Sequence, residues 1–192
     1  RVAKGEKYNP AIAGTVNVFN AYFGSGLSSI VFQEIRESKS LAYSARAYYG
    51  TANDKNLSDY MQVSIGTQAN KLPEAVDAIN ALLSEMPKIE KQFDNAKESS
   101  LKQMASSRII KANIYFNQLN LKKLGIDYDI RKDIYKSIQG LTLKATDDFF
   151  NKEVKTKKYN TAIIGKKESL DFEALKKLGQ IEEVTLDEIF NY

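Results

Sequence analysis

Arg36 and Tyr43 are the two side chains of this sequence best suited to handle a polar reacting group. They stand in the stretch FNAYFGSGLSSIVFQEIRESKSLAYSARAYY, residues 19–49, one near a helix end and the other at the start of a strand-like run. A guanidinium presents its donors in a rigid planar fork that fits a peptide carbonyl or a carboxylate. A tyrosine hydroxyl can donate to the oxyanion formed when water attacks a carbonyl, and losing one such donor costs about 3–4 kcal/mol of transition-state stabilisation. Both residues also have ordinary structural uses. Arg36 can pair with Glu34 or Glu37 at the helix end, and Tyr43 can be one of 11 tyrosines packing a sheet.

Composition removes much of the competing chemistry. The chain has no His and no Cys, and zinc sites are built almost entirely on those ligands. A Ser-His-Asp triad, a cysteine nucleophile and an imidazole base are excluded with them. The lack of cysteine fits a reducing compartment or a cysteine-poor bacterial envelope protein equally well. Net charge is +4 from 28 basic and 24 acidic residues, too small and too dispersed an excess for a nucleic-acid partner. No apolar run reaches the roughly 20 residues of a membrane span, and Arg1 opens onto AKGEKYNP rather than a signal peptide. An opening Arg instead of Met reads as a fragment, a processed chain or a cut boundary.

Other polar clusters are better explained as structure. GSGLSS, residues 24–29, lacks the Lys-Ser/Thr of a phosphate loop and does not follow a strand, so a turn with close helix packing is expected. Glu34 and Glu37 have no His or Cys to complete an acid/base or metal site. The lysines at 155–158, 166–167 and 176–177 read as exposed. Tyr43, Tyr48 and Tyr49 carry no glycine-aromatic RNA-binding pattern and read as sheet packing.

The spacing of apolar residues supplies the elements that must position Arg36 and Tyr43. Ile12, Val16, Phe19 and Tyr22 or Phe23 predict a helix that stops at Gly24 and Gly26. Ser25 is expected to cap a second helix with Leu27, Ile30, Val31 and Ile35 on its buried side. From Tyr43 the period becomes two, with Tyr43, Ala45, Ala47 and Tyr49 against Ser44, Arg46 and Tyr48. A second strand through Met61, Val63 and Ile65 makes a hairpin with it. A helix capped by Asn70, with Pro73 in its first turn, ends at Pro87. Further helices are expected at about 90–108, 114–124, 129–140 and from a Thr142 cap to Phe150. KKYNTAIIG reads as a third strand and QIEEV as an edge strand, on either side of a short helix near 172–178. Thr185 and Glu188 mark a last capped turn. The order argues for α+β: helices on one face of a largely antiparallel sheet, in one domain covering 1–192.

The sequence resembles the zinc-free, C-terminal type of domain in the pitrilysin/insulinase zinc metallopeptidases, the family that includes mitochondrial processing peptidase. Gly-Ser-Gly-Leu-Ser-Ser, Gln-Glu-Ile-Arg-Glu and Leu-Ala-Tyr-Ser carry the resemblance, and the closing KLGQIEEVTLDEIFNY looks like the end of large bacterial members. The resemblance implies the metallohydrolase fold of LuxS and mitochondrial processing peptidase. Such domains open with a core strand, and Arg1 is read as starting just after it, so the sheet is expected without its first strand. It also implies that Arg36 and Tyr43 bind the peptide substrate, with Tyr43 contacting the carbonyl or oxyanion. No cofactor is expected in this chain. Zinc would sit in a companion N-terminal domain or subunit bearing H-x-x-E-H, the partner with which this chain encloses a peptide chamber, and this chain alone would be inactive. The bacterial periplasm or envelope is the compartment the resemblance favours. The competing expectation is a non-catalytic scaffold or partner-binding module of an inactive homologue.

Overall fold

The structure, a computed structural model, describes residues 1–190; Asn191 and Tyr192, the end of the closing run, lie outside the described residues. Three strands form the sheet: β1 (Val2–Lys7), β2 (Ser44–Gly50) and β3 (Ser58–Gly66), in the order β1-β3-β2 with both pairings antiparallel. Met61 in the central strand faces Ala3 on one side and Tyr49 on the other, and Val63 faces Ala47. The strands alternate as a half-buried sheet must. Ala3, Ala45, Ala47, Tyr49, Met61 and Val63 are buried on one face, while Ser44, Arg46, Tyr48, Tyr60 and Gln62 are exposed on the other. The α+β layering read from the sequence is the layering observed.

Most of the helices pack over the apolar face. A 3-10 turn at Pro10–Ile12, capped by Asn9 accepting from the Ala11 N–H at 3.0 Å, leads into α1 (Ala13–Phe19). A π-helical turn, Asn20–Gly24, continues it. Helix α2 (Ile30–Phe32) widens into a second π-turn at Gln33–Ser38. Then follow α3 (Leu72–Ser84), α4 (Glu90–Ser106), α5 (Lys111–Lys123), α6 (Arg131–Gly140) and α7 (Leu143–Phe150). Two short helices, α8 (Phe172–Lys176) and α9 (Leu186–Phe190), close the described chain. Thr142 caps α7 by accepting from the Ala145 N–H at 3.2 Å. Thr185 and Glu188 satisfy each other's backbone N–H groups at 3.3 and 2.7 Å, the reciprocal cap their spacing predicts. Among the described residues no helix is long and apolar enough to cross a membrane.

Aromatic rings join helices to sheet. Phe19 stacks on Phe23 at 5.2 Å between centroids and meets Phe149 edge-on at 5.1 Å, while Phe149 meets Tyr49 of β2 at 5.0 Å. Pairs of this kind add about 0.5–1.5 kcal/mol each beyond the area they bury. Tyr22 is fully buried, and its hydroxyl donates to the Pro87 carbonyl at 2.7 Å and accepts from the Ile89 N–H at 2.9 Å. It thereby fixes the turn between α3 and α4.

Several expectations are corrected. A strand does precede the first helix: VAKGEK is β1, with Ala3 as its only buried residue, a pattern too polar to read as a strand without its partner β3. KKYNTAIIG contributes only an isolated bridge, Asn160 opposite Val2. The antiparallel direction carries residues 161–165 past Arg1, where no neighbouring strand stands among the described residues, and Ile164 is exposed. QIEEV is likewise not a strand. The cap of α2 is Ser29, accepting from the Phe32 N–H at 3.4 Å, rather than Ser25, and Leu27 is exposed instead of lying in the buried stripe. Asn70 lies inside a 3-10 turn, Ala69–Lys71, and caps nothing. α3 ends at Ser84, ahead of Pro87.

Gly24 is where α1's extension touches the sheet. A Cβ built there would stand 2.0 Å from the Ala47 carbonyl oxygen, a backbone atom that cannot swing away. Gly24→Ala is therefore expected to destabilise the fold by about 2 kcal/mol or more. A lowered urea midpoint with an unchanged slope would show this, and a wild-type midpoint would refute the close contact.

Asp59 of β3 is buried. Its Oδ1 accepts from the Ala52 N–H at 2.8 Å, while its buried Oδ2 has no hydrogen-bond partner. Burial pushes its carboxyl above the ordinary value of 3.8, the Glu153 charge adds to this, and the Ala52 bond opposes it. Tyr8 and Tyr49 are the other titratable groups coupled to it. The folded state thus holds this proton to higher pH than the unfolded chain does. The resulting penalty is absent below the unfolded pKa of 3.8 and grows as pH rises through the folded value. Asp59→Asn keeps the acceptor for Ala52 and removes the charge. It should raise Tm at pH 8 by roughly 2–4 °C, corresponding to about 1 kcal/mol, with the gain shrinking towards about pH 4. A gain that is the same at both pH values, or a loss at pH 8, would contradict this.

Candidate functional site

Arg36 owes its place to α2. Ser29 starts that helix, its Oγ donating to the Gly26 carbonyl at 2.9 Å while accepting from Phe32. Ile30, Val31 and Ile35 are buried and seat the helix on the sheet. With Ile35 turned inward, Arg36 comes out at the rim, on the π-turn Gln33–Ser38; such wide turns often occur at functional sites. The chain then reverses through Ser40, the only non-glycine residue with positive φ (49°) among the described residues. The Ser40 N–H bonds the Arg36 carbonyl at 3.1 Å and the Leu41 N–H bonds the Ile35 carbonyl at 3.0 Å. Leu41 is buried, and its carbonyl accepts from the Thr67 hydroxyl.

Tyr43 follows directly. Its N–H donates to the Gly66 carbonyl at 3.0 Å, aligning it with the end of β3, but the residue is 73% exposed. The ring lies over Gly66, where a Cβ would come within 2.5 Å of the tyrosine Cζ; only glycine leaves room for this placement. Tyr43 precedes β2, which begins at Ser44, and its exposure departs from the sheet-packing alternative.

The two residues line one open groove of about 520 Å³ at the sheet end. It is lined by Phe32 and Arg36, by residues 43–46 and by residues 64–66. The Arg36 guanidinium stacks over Phe32 at 4.9 Å, and its Nε stands 3.6 Å from a Glu37 carboxylate oxygen. The pairing with Glu37 foreseen as Arg36's structural role therefore exists. It is half-exposed and longer than a hydrogen bond, and such surface pairs contribute about 0–1 kcal/mol. It leaves the terminal guanidinium nitrogens free for another acceptor. A neighbouring hollow of about 190 Å³ is lined by Ser25, Arg46, Tyr48, Gln62 and Ser64.

Arg46 belongs to both hollows, and the sequence reading gave it no role. The signal was present: Ser44, Arg46 and Tyr48 alternate on the face away from the helices, and an arginine on such a face has no core function. A metal does not fit this region. The chain has no His or Cys, and the described residues contain no group of three or more His, Cys, Asp or Glu able to hold an ion.

Comparison with known proteins agrees with this architecture. Residues 4–100 match the family described as the peptidase M16 inactive domain, a span that contains the whole Phe19–Tyr49 segment. The uncharacterized zinc protease YmxG of Bacillus subtilis is 32% identical over 84 residues, which are 42% of this chain and 20% of that protein. Among solved structures, the peptidase M16 inactive domain from Pseudomonas fluorescens superposes with a TM-score of 0.62 at 20% identity, over 79% of this chain and 36% of that one. A protease from Helicobacter pylori superposes with a TM-score of 0.59 at 15% identity, over the same shares of the two chains. The chain thus spans about a fifth of the curated relative it matches and about a third of these solved chains. The match over half the sequence, together with the shared fold, shows that this chain belongs to the family of peptidase M16 inactive domains.

Proposed function

We propose that this chain is the zinc-free half of a zinc metalloendopeptidase, lining the chamber in which a peptide is held and cut. The observation that carries the reading is the convergence of Arg36, from the π-turn after α2, and Tyr43, from the entry to β2, on one open groove. In this reading the zinc belongs to an N-terminal companion domain or subunit, and residues 1–192 act as one domain facing it. The Arg36 fork holds a peptide carbonyl of the substrate. The exposed Tyr43 hydroxyl donates to the oxygen of the carbonyl under attack, as negative charge gathers on it. Preorganised donors of this kind serve the transition state more than the bound substrate. The proposed compartment is the bacterial periplasm or envelope, on the sequence resemblance alone.

The pair is tested in the full-length enzyme with a fluorogenic peptide. Tyr43→Phe keeps the ring over Gly66 and removes only the hydroxyl, so kcat should fall about 100-fold or more with KM little changed. Arg36→Ala should raise KM by about tenfold, the loss of one charge-assisted contact. Zinc content should be unaffected in both. Near-normal turnover in both variants, with Tm lowered instead, would make the pair structural. The isolated chain is expected neither to retain stoichiometric zinc nor to cleave peptide; zinc-dependent hydrolysis by the pure chain would overturn the division of labour.

A further inference from the structure

Arg46 is the least explained charge on the open face of the sheet. It stands directly opposite Ser64 in the β2–β3 ladder, one pleat in from Tyr43's end of the strand. No ion pair or hydrogen bond engages its side chain among the described residues. Its neighbours on that face, Ser44, Tyr48, Gln62 and Ser64, are neutral hydrogen-bonding groups, and Gln62 is turned towards Ser64 at 3.3 Å. No carboxylate lines either hollow, whereas Arg46 lines both and Arg36 lines the larger. Glu6, in the irregular stretch of β1 between Lys4 and Lys7, is held by Lys157 at 2.8 Å. Arg46 therefore has no resident counter-ion and Arg36 only the loose, half-exposed contact with Glu37, and a concave surface with an excess of one sign concentrates ligands of the opposite sign.

We propose that the groove selects peptides carrying an acidic side chain, and that Arg46 is the residue that pairs with it. The inference rests on the reading of this groove as a peptide site and gives that site a substrate class. With Arg36 and Tyr43 at one end and Arg46 further along β2, a peptide laid across the sheet meets two separate cationic contacts. The first holds backbone and is indifferent to sequence. The second reads a side chain. Arg46's planar fork suits a carboxylate with two parallel bonds, and Ser44 and Ser64 are placed to take up the remaining lone pairs.

The test uses the full-length protein with a chelator present, so that no peptide is consumed. Fluorescence anisotropy compares a labelled nonapeptide bearing a central Asp with the same peptide bearing Asn. The wild-type protein should bind the Asp peptide about 3–10-fold more tightly, the gain expected of one partly exposed charge pair, and the preference should shrink in high salt. Arg46→Gln should bring the ratio of the two affinities to about one, and Arg46→Glu should invert it. Because both peptides are measured on the same variant, a general loss of folding or affinity cancels from the ratio. Equal binding by the wild type, or an unchanged preference in Arg46→Gln, overturns this inference alone. Absence of binding by both peptides overturns the peptide-groove reading and this inference with it. Displacement of the Asp peptide by a short oligonucleotide would assign the positive face to phosphates and overturn it too.

Discussion

The clasp between Asn20 and Tyr49 is the contact on which the site's geometry depends. β2 is an edge strand, paired on one side with β3 and, among the described residues, on the other with no strand. An exposed edge leaves N–H and C=O groups unpaired and its position poorly fixed. Here the buried Asn20 side chain stands in for the missing neighbour: its Oδ1 accepts from the Tyr49 N–H at 2.7 Å and its Nδ2 donates to the Tyr49 carbonyl at 3.0 Å. Asn20 can do this because α1 widens into a π-turn beside the strand and Gly24 permits backbone contact at Ala47. The same strand that is clasped on its edge carries Ser44, Arg46 and Tyr48 on its open face, so the helix layer fixes the position of groups it never touches.

A second set of polar contacts ties the far side of the sheet to the helices. The Glu153 carboxylate is buried in the π-turn Asn151–Lys155 that continues α7, where it accepts from the Tyr49 hydroxyl at 3.3 Å and meets Lys157 at 3.4 Å and Lys152 at 3.1 Å. Lys157 also reaches Glu6 on β1 at 2.8 Å, and that hydrogen bond holds Glu6 below and Lys157 above their ordinary pKa values. Burial first, then the Glu153 charge, pushes the Tyr49 hydroxyl far up, so it stays protonated and can donate to Glu153. Buried pairs of this kind add little net stability against an apolar substitute, but breaking one partner is costly. They fix which strand lies under which helix. Tyr49 takes part in both sets, through its backbone to Asn20 and through its hydroxyl to Glu153.

The two faces of the sheet therefore do different work. The helix-covered face is apolar and aromatic and supplies the cohesion. The open face is polar, carries an unpaired arginine, and is shaped at its end by a glycine that leaves room for a tyrosine ring. A chain that spans about a third of its structural relatives and leaves such a face uncovered fits the proposed role as one wall of a larger chamber.

By itself the sequence determined the α+β class, the positions of most helices and the main hairpin, because those follow from local periodicity and capping chemistry. The apolar alternation of Ala45, Ala47 and Tyr49 and the Thr185–Glu188 cap are visible to anyone who knows the two periods. It also singled out Arg36 and Tyr43, through the resemblance of their segment rather than through periodicity. Tertiary structure alone decided the rest. VAKGEK became a strand because β3 offered it a ladder, while TAIIG, with better strand residues, found no partner among the described residues; strand formation is a property of pairs, not of segments. Ser29 rather than Ser25 became the cap because Gly24 packs against Ala47 and leaves Ser25 to bond that carbonyl. Arg46 acquired its place beside Arg36 and Tyr43 only when β2 and the turn after α2 were brought to the same end of the sheet, a juxtaposition that long-range packing creates and local spacing does not encode.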